Sequence, residues 1–252
     1  MYMRLTLFIL FLVGLALLVW FTGTWRTIKS VYLILQIRPY EQSVPGAPAI
    51  LVLGDSTGYG TGASKGADSI AGRIGTDFLD YSIVNNSKNG RTIGQALETL
   101  RTFDTDESYA LILLQIGAND ILQKNNTDFV LSELTQLFIE AKKRSPHVVM
   151  MSSGNVGTSA AFTGTPRADV YDKLSRQMRE LFISLAAESS VTYIDLFQET
   201  DEDVFLSEPK KYLAVDGLHP TSAGYALWYE TVGPVIRRLL ASDVSLEKKE
   251  VF

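Results

Sequence analysis

Cysteine is absent from the 252-residue sequence, so disulfides, thiolate-held zinc and a thiol nucleophile are all excluded. Histidine is scarce: His147 and His219 are the two imidazoles available to acid–base chemistry. The scattered carboxylates, Asp201, Glu202 and Asp203 among them, show no ligand spacing for a metal. An excess of basic charge is missing as well. The 23 Lys and Arg stand against 28 Asp and Glu, and the net −5 is spread along the chain, which leaves no electrostatic footprint for nucleic acid. A phosphate-cradling loop is also lacking. The glycine-rich stretch Gly58–Gly66 (GYGTGASKG) has no adjacent Gly-Lys-Ser/Thr and does not fit G-x-G-x-x-G, so it reads as a flexible rim and no cofactor is implied. What is present is an ordinary folding composition, 46% apolar and 20% charged. About 210 residues lie beyond the first forty, enough for one core.

Charge is missing locally from Leu5 to Thr24, LTLFILFLVGLALLVWFTGT. As a helix rising ~1.5 Å per residue, this stretch matches the ~30 Å hydrocarbon core of a bilayer. A signal peptide would place small residues at a cleavage site, whereas Trp20, Phe21 and Trp25 stand here, so residues 1–26 read as a retained single-pass transmembrane anchor. Trp20 and Trp25 fall at the headgroup level, with Arg26 and Lys29 beyond. Orientation is left open: Arg4 and the terminal amine oppose Arg26, Lys29 and Arg38, a lean of one or two charges toward a cytoplasmic domain. Residues 27–48 form a juxtamembrane segment and linker. In it Ile28–Ile37 is apolar enough to follow the interface or dock on the domain, and Arg38–Pro48 holds three prolines. With no apolar face standing out beyond the anchor, a monomer is expected.

From residue 49 to 241 apolar runs and helical periods alternate. The strand candidates are Ala49–Leu53, Ser82–Asn85, Ala110–Ile116, His147–Ser152 and Val191–Ile194, with helical patterns near 67–79, 93–103, 128–144 and 168–189 and a last one over Ser222–Leu240. Residues 242–252 are left as a tail. Strand–helix alternation predicts an α/β three-layer sandwich around a five-stranded parallel sheet. Sites in such sheets form at the carboxyl ends of strands, and there the sequence carries GDSTGYGTG, NSKNG, GAND, SGNVGT and, further on, DGLHP.

A serine hydroxyl needs an adjacent base, normally a histidine oriented by a carboxylate. Ser56 follows the first strand, and His219 has Asp216 three residues before it. His147, after Ser-Pro at the start of a buried strand, reads as structural. Taken singly, Ser56 is explained as a helix cap, Asp216-Gly217 as a turn and Gly117–Asp120 as a loop. Together and in this order they resemble the GDSL, or SGNH, hydrolase family. Its four blocks match as Gly54-Asp55-Ser56, Asn85 to Gly90, Gly117-Ala118-Asn119-Asp120 and Asp216-Gly217-Leu218-His219-Pro220, with Thr57 where the family name has leucine.

The resemblance covers about Ala49 to Leu240 and implies the flavodoxin-like SGNH hydrolase fold. It also implies Ser56 as nucleophile, His219 as base, Asp216 as the orienting carboxylate, and an oxyanion hole from Ser56 N–H, Gly90 N–H and the Asn119 amide. Asp120 would hold its loop. Gly54–Gly58 also satisfies the G-x-S-x-G elbow of α/β-hydrolases. That fold, however, puts the elbow after several strands and takes its acid and histidine from separate loops. The expected activity is hydrolysis of carboxylic esters or thioesters, near lipids or acylated polysaccharides. Acyl transfer to a sugar or lipid hydroxyl is one alternative and a non-catalytic binding domain another. Tyr59, Val156 and Phe162 are the candidate pocket-lining residues.

Overall fold

The computed structural model describes the backbone of residues 2–250 and the side chains of 4–18, 20 and 27–241. Five short strands rich in Val, Ile, Leu and Met form one sheet: β1 (Ala49–Gly54), β2 (Ser82–Asn85), β3 (Leu111–Gln115), β4 (Val148–Met151) and β5 (Thr192–Ile194). All neighbours run parallel, in the order β2-β1-β3-β4-β5. Successive side chains of a strand point to opposite faces, so each central strand feeds two cores. Leu51, Leu53, Ile112, Leu114 and Met150 enter one core; Ile50, Val52, Leu111, Leu113 and Met151 enter the other. Burial on both faces explains why these strands are continuous apolar runs.

The helices are α1 (Tyr2–Gln36), α2 (Ser56–Tyr59), α3 (Ile70–Asp77), α4 (Ile93–Arg101), α5 (Ala118–Gln123), α6 (Thr127–Lys142), α7 (Pro166–Glu188), α8 (Val204–Ser207), α9 (Pro209–Tyr212) and α10 (Ser222–Glu250). Residues of α4, α6 and α7, including fully buried Phe138 and Phe182, cover the first face; α3 and α10, with Ile70, Ile74 and Tyr225, cover the second. This is the expected α/β sandwich. Local signals set its helix starts: Thr92 and Gln95 close a capping box on α4, Asn126 caps α6, and Thr165 with Pro166 begins α7. The backbone of α10 runs on to Glu250, through the stretch read from sequence as a tail.

The strand order reverses between β1 and β3, because the chain goes from β1 outward to β2 and then returns to the other side of β1. Loops after β1 and β3 therefore diverge and leave a crevice at their carboxyl ends. Residues 38–48 run along the sheet edge beyond β2. Gln42 and Ile83 exchange backbone hydrogen bonds of 3.1 and 2.8 Å, and the Gln42 amide donates to Tyr81 O at 2.7 Å. That strap covers an edge which would otherwise present unpaired backbone groups.

Helix α1 changes character along its length. Leu5, Phe8, Phe11, Leu15, Leu18 and Trp20 are all exposed, on every side of the helix. From Lys29 onward the pattern becomes one-sided: Ser30, Leu33 and Ile34 are half-buried, Ile37 is buried, and Val31, Tyr32 and Leu35 face out. Among the described residues no helix is long and apolar enough to cross a membrane. The side chains at 19 and 21–26, which belong to the expected anchor and its flank, lie outside the described residues.

Candidate active site

The chain leaves β1 through Asp55, and Asp55, rather than Ser56, is the cap of α2. Its Oδ1 accepts from the Thr57 N–H and the Thr57 hydroxyl, both at 2.8 Å. Ser56 is thereby freed from capping, the plain structural explanation of its presence. Burial pushes the Asp55 carboxyl up to about 6, against the pull of the two Thr57 hydrogen bonds and the charge of His219. Ser56 Oγ lies 3.0 Å from His219 Nε2, and His219 Nδ1 lies 2.6 Å from Asp216 Oδ2. Ser56 and His219, 163 positions apart in the chain, are thus in direct contact. Asp216 Oδ1 accepts from the N–H groups of Leu218 and His219 at 3.0 and 3.2 Å. Burial pushes Asp216 up, but the His219 hydrogen bond and charge and the two backbone donors outweigh it and hold the carboxyl at about 2. Asp216 is therefore ionised at neutral pH.

The DGLHP loop is fixed from several sides. Gly217 (φ +73) offers its carbonyl to Ala161 N–H, and Ala214 N–H donates to His219 O at 2.8 Å. On the other flank Gly62 (φ +95) presses against the loop so closely that a Cβ there would lie 2.4 Å from Pro220 O and 3.0 Å from His219 Cβ. The glycine-rich stretch after Ser56 is thus not a flexible rim. Gly58, Gly60 and Thr61 are buried, and the absence of side chains serves close packing, of Gly58 against Ser87, of Gly60 against Ser69 and of Gly62 against the His219 loop.

Gly90 (φ +78) ends the turn after β2, and Asn119 sits in the first turn of α5 after Gly117 (φ +120). One amide hydrogen of Asn119 goes to Arg91 O at 3.1 Å, which orients the group and leaves the other hydrogen free. Asp120 accepts from Ile93 N–H and the Asn125 amide and ties the loop to the start of α4, the holding role read for it. Ser56, Gly90, Asn119 and His219 all line one cavity of ≈ 440 Å³. Its walls are largely apolar, with Leu122, Val156, Phe197, Phe205, Leu213 and Trp228 among them.

Of the three pocket candidates, Val156 lines this cavity and the other two do not. Tyr59 packs on the core that α3 and α10 cover, and the Phe162 ring packs tilted against Tyr171 at 4.6 Å between centroids. Both rings are spent on packing, which sequence could not separate from lining. His147 stands at the start of β4, the sheet end opposite the cavity, where Ser145 brackets its backbone. Sequence reasoning did not single out Ser30 and Ile34 of α1. Both line the same cavity, and Ser30 Oγ donates to Asp216 Oδ2 at 2.9 Å. The available signal was the spacing Ser30, Ile34, Ile37, one helical stripe that continues past the uncharged run.

The family model described as GDSL-like Lipase/Acylhydrolase matches residues 52–227. Esterase TesA of Pseudomonas aeruginosa is 24% identical over 197 residues, which cover 77% of this chain and 90% of that relative. The crystal structure of TesA is similar with a TM-score of 0.60 at 21% identity, over 76% of this chain and 99% of that one. The psychrotrophic esterase EstA from Pseudoalteromonas sp. reaches 0.55 at 20% identity over 77% and 99%. An acetyl-xylooligosaccharide esterase, Axe2, from Geobacillus reaches 0.56 at 17% identity over 77% and 94%. At these identities the structural likeness is one of fold.

Proposed function

The chain belongs to the GDSL-like lipase/acylhydrolase family, and from that premise we propose that it cleaves carboxylic esters through an acyl-enzyme formed on Ser56. One observation carries the reading: the hydrogen-bonded line from Ser56 Oγ through His219 to Asp216 opens into the cavity that Gly90 and Asn119 share. In the first step Ser56 Oγ attacks the acyl carbon as His219 Nε2 takes its proton, and Asp216 stabilises the imidazolium. The negative oxygen that forms is met by the N–H groups of Ser56 and Gly90 and the free Asn119 amide hydrogen. Collapse of this intermediate breaks the carbon–oxygen bond to the alcohol, which leaves with the proton held by His219. Water, deprotonated by His219, then attacks the acyl-enzyme. The acid departs and Ser56 recovers its proton.

The cavity volume falls within the range of small-molecule sites, ~300–1,000 Å³, and its apolar walls suit the acyl part of the ester. The same reading holds the enzyme at a bilayer through residues 5–24. In its support stand the uncharged sequence and the exposure of large apolar side chains on every side of the helix between Leu5 and Leu18, a surface that water does not favour. Esters of lipids or of acylated polysaccharides near that surface are the proposed substrates. The test is full-length protein purified in detergent and assayed on short acyl esters, wild type against Ser56→Ala. Turnover should vanish in the variant, and undiminished turnover would refute the reading. Alkaline washing of membranes tests the anchor, since an anchored chain stays with the pellet and a peripheral one is released.

A further inference from the structure

The face that α1 turns to the domain includes Ser30 and Ile34, at i and i+4, and the same stripe continues into Ile37, the residue just past the end of the helix. Ile37 is buried at the turn after α2, its Cδ1 lying 3.6 Å from where a Cβ on Gly60 would be. Ile34 lies in the wall of the catalytic cavity. Ser30 goes further and reaches the catalytic carboxylate itself, with its Oγ 2.9 Å from Asp216 Oδ2. The helix that carries the uncharged N-terminal run therefore ends inside the active site.

An ionised carboxylate offers about four acceptor positions. At Asp216 all four are used: Oδ1 takes the backbone N–H groups of Leu218 and His219, and Oδ2 takes His219 Nδ1 and Ser30 Oγ. The Asp216 side chain is 1% exposed, so solvent has no access to replace a lost donor. Three of the four donors come from its own loop, and only Ser30 comes from elsewhere. We propose that Ser30 is a positioning residue for Asp216: it supplies the fourth hydrogen bond of the carboxylate and fixes the oxygen that faces His219, which makes the last turns of α1 a working part of the site.

Two consequences follow from where the bond falls. Ser30 fixes the Oδ2 that orients the imidazole, so its loss loosens the line from Asp216 to Ser56. A donor on Oδ2 also draws off negative charge that would otherwise stabilise the imidazolium. Without it more of that charge faces the imidazolium and stabilises it. Asp55, behind Ser56, also interacts with the charge of His219, and Ser30 is bonded to Asp216 and not to it.

The proposal rests on Ser56 and His219 acting as nucleophile and base, and the experiment separates the two claims. Full-length wild type, Ser30→Ala, Ser30→Thr, Ile34→Ala and Ser56→Ala are purified in detergent, and kcat, KM and the pH profile of kcat/KM are measured on one ester. Alanine is a better helix former than serine, so Ser30→Ala keeps α1 intact. Ser30→Ala should lower kcat about tenfold with little change in KM, and should move the acid limb of the profile to higher pH. Ser30→Thr should restore both, and Ile34→Ala, which alters the wall but not the hydroxyl, should leave the acid limb where it is. Wild-type kcat and an unmoved acid limb in Ser30→Ala would overturn the proposal. So would a loss of activity matched by a loss of thermal stability with no change in the limb. Undiminished turnover in Ser56→Ala would instead sink the nucleophile reading on which it stands.

Discussion

Gly62 is where the backbone behind the nucleophile meets the loop that carries the base, and Gly62→Ala puts this contact to the test. The native φ of +95 lies in the region that favours glycine, and holding alanine there costs roughly 1–2 kcal/mol. The new Cβ would also stand 2.4 Å from Pro220 O, 3.0 Å from His219 Cβ and 3.3 Å from Ala214 Cβ. The first contact is to backbone, which cannot swing away as a flexible side chain would, so the His219–Pro220 segment must retreat by up to about 1 Å. Overpacking of this kind adds about 1–3 kcal/mol, within the stability of a typical domain, so the variant should still fold. Misplacement of the base by about that distance should cost on the order of 10² in kcat. Gly46→Ala is the matched control: its φ of +73 is also glycine-like, but nothing lies within 4 Å of a Cβ there. Urea unfolding and kcat on a short ester, measured for both variants, give the result. Gly62→Ala should lose about 2–5 kcal/mol of stability and most of its turnover, whereas Gly46→Ala should lose about 1–2 kcal/mol and no turnover. Wild-type kcat in folded Gly62→Ala, or equal damage in the two, would refute the reasoning.

Asn119→Ala removes a side-chain donor while leaving the Ser56–His219 bond untouched, so kcat should fall by about 10²–10³ with KM little changed; a KM effect alone would assign Asn119 to substrate binding. Asp55 gives a stability signature. Its folded pKa of about 6 stands above the ordinary 3.8, so the folded state holds the extra proton between those values and stability falls as pH rises through that window, by up to about 3 kcal/mol. Asp216, held at about 2, acts in the opposite sense and at lower pH, its contribution being lost as pH falls from 3.8 toward 2. Asp55→Asn should therefore flatten the profile from pH 4 to 6 in urea titrations. A variant whose profile runs parallel to wild type would show that the Asp55 carboxyl is not the group responsible.

The sheet was legible because burial on both faces turns each central strand into an unbroken apolar run, and the helices because their apolar periods alternate with those runs; the caps at Thr92, Asn126 and Thr165 came only from the structure. The site was legible through residue types that are rare in this chain. With two histidines, one of them beside an aspartate and after the last strand, the base had few alternatives. Cap assignment was not legible: Asp55 and Ser56 are both good caps, and only the Thr57 hydrogen bonds decide for Asp55. Aromatic rings near the loops misled, since Tyr59 and Phe162 have the same composition whether they face a cavity or a core. Docking of Ile28–Ile37 on the domain was one of two readings its apolar stripe allowed, but its entry into the site was hidden for a different reason. Ser30 meets Asp216 across 186 positions of sequence, and no local pattern encodes a contact of that range.

The acyl-enzyme itself is the most direct test of the proposed chemistry. Full-length protein mixed with a slowly deacylating ester and quenched in acid within the first turnover can be digested and weighed by mass spectrometry. The expected result is one acyl group on the peptide that spans Asp55 to Gly62, localised to Ser56 and missing from Ser56→Ala. Continued ester turnover with no acylated peptide, and with Ser56→Ala as active as wild type, would contradict it.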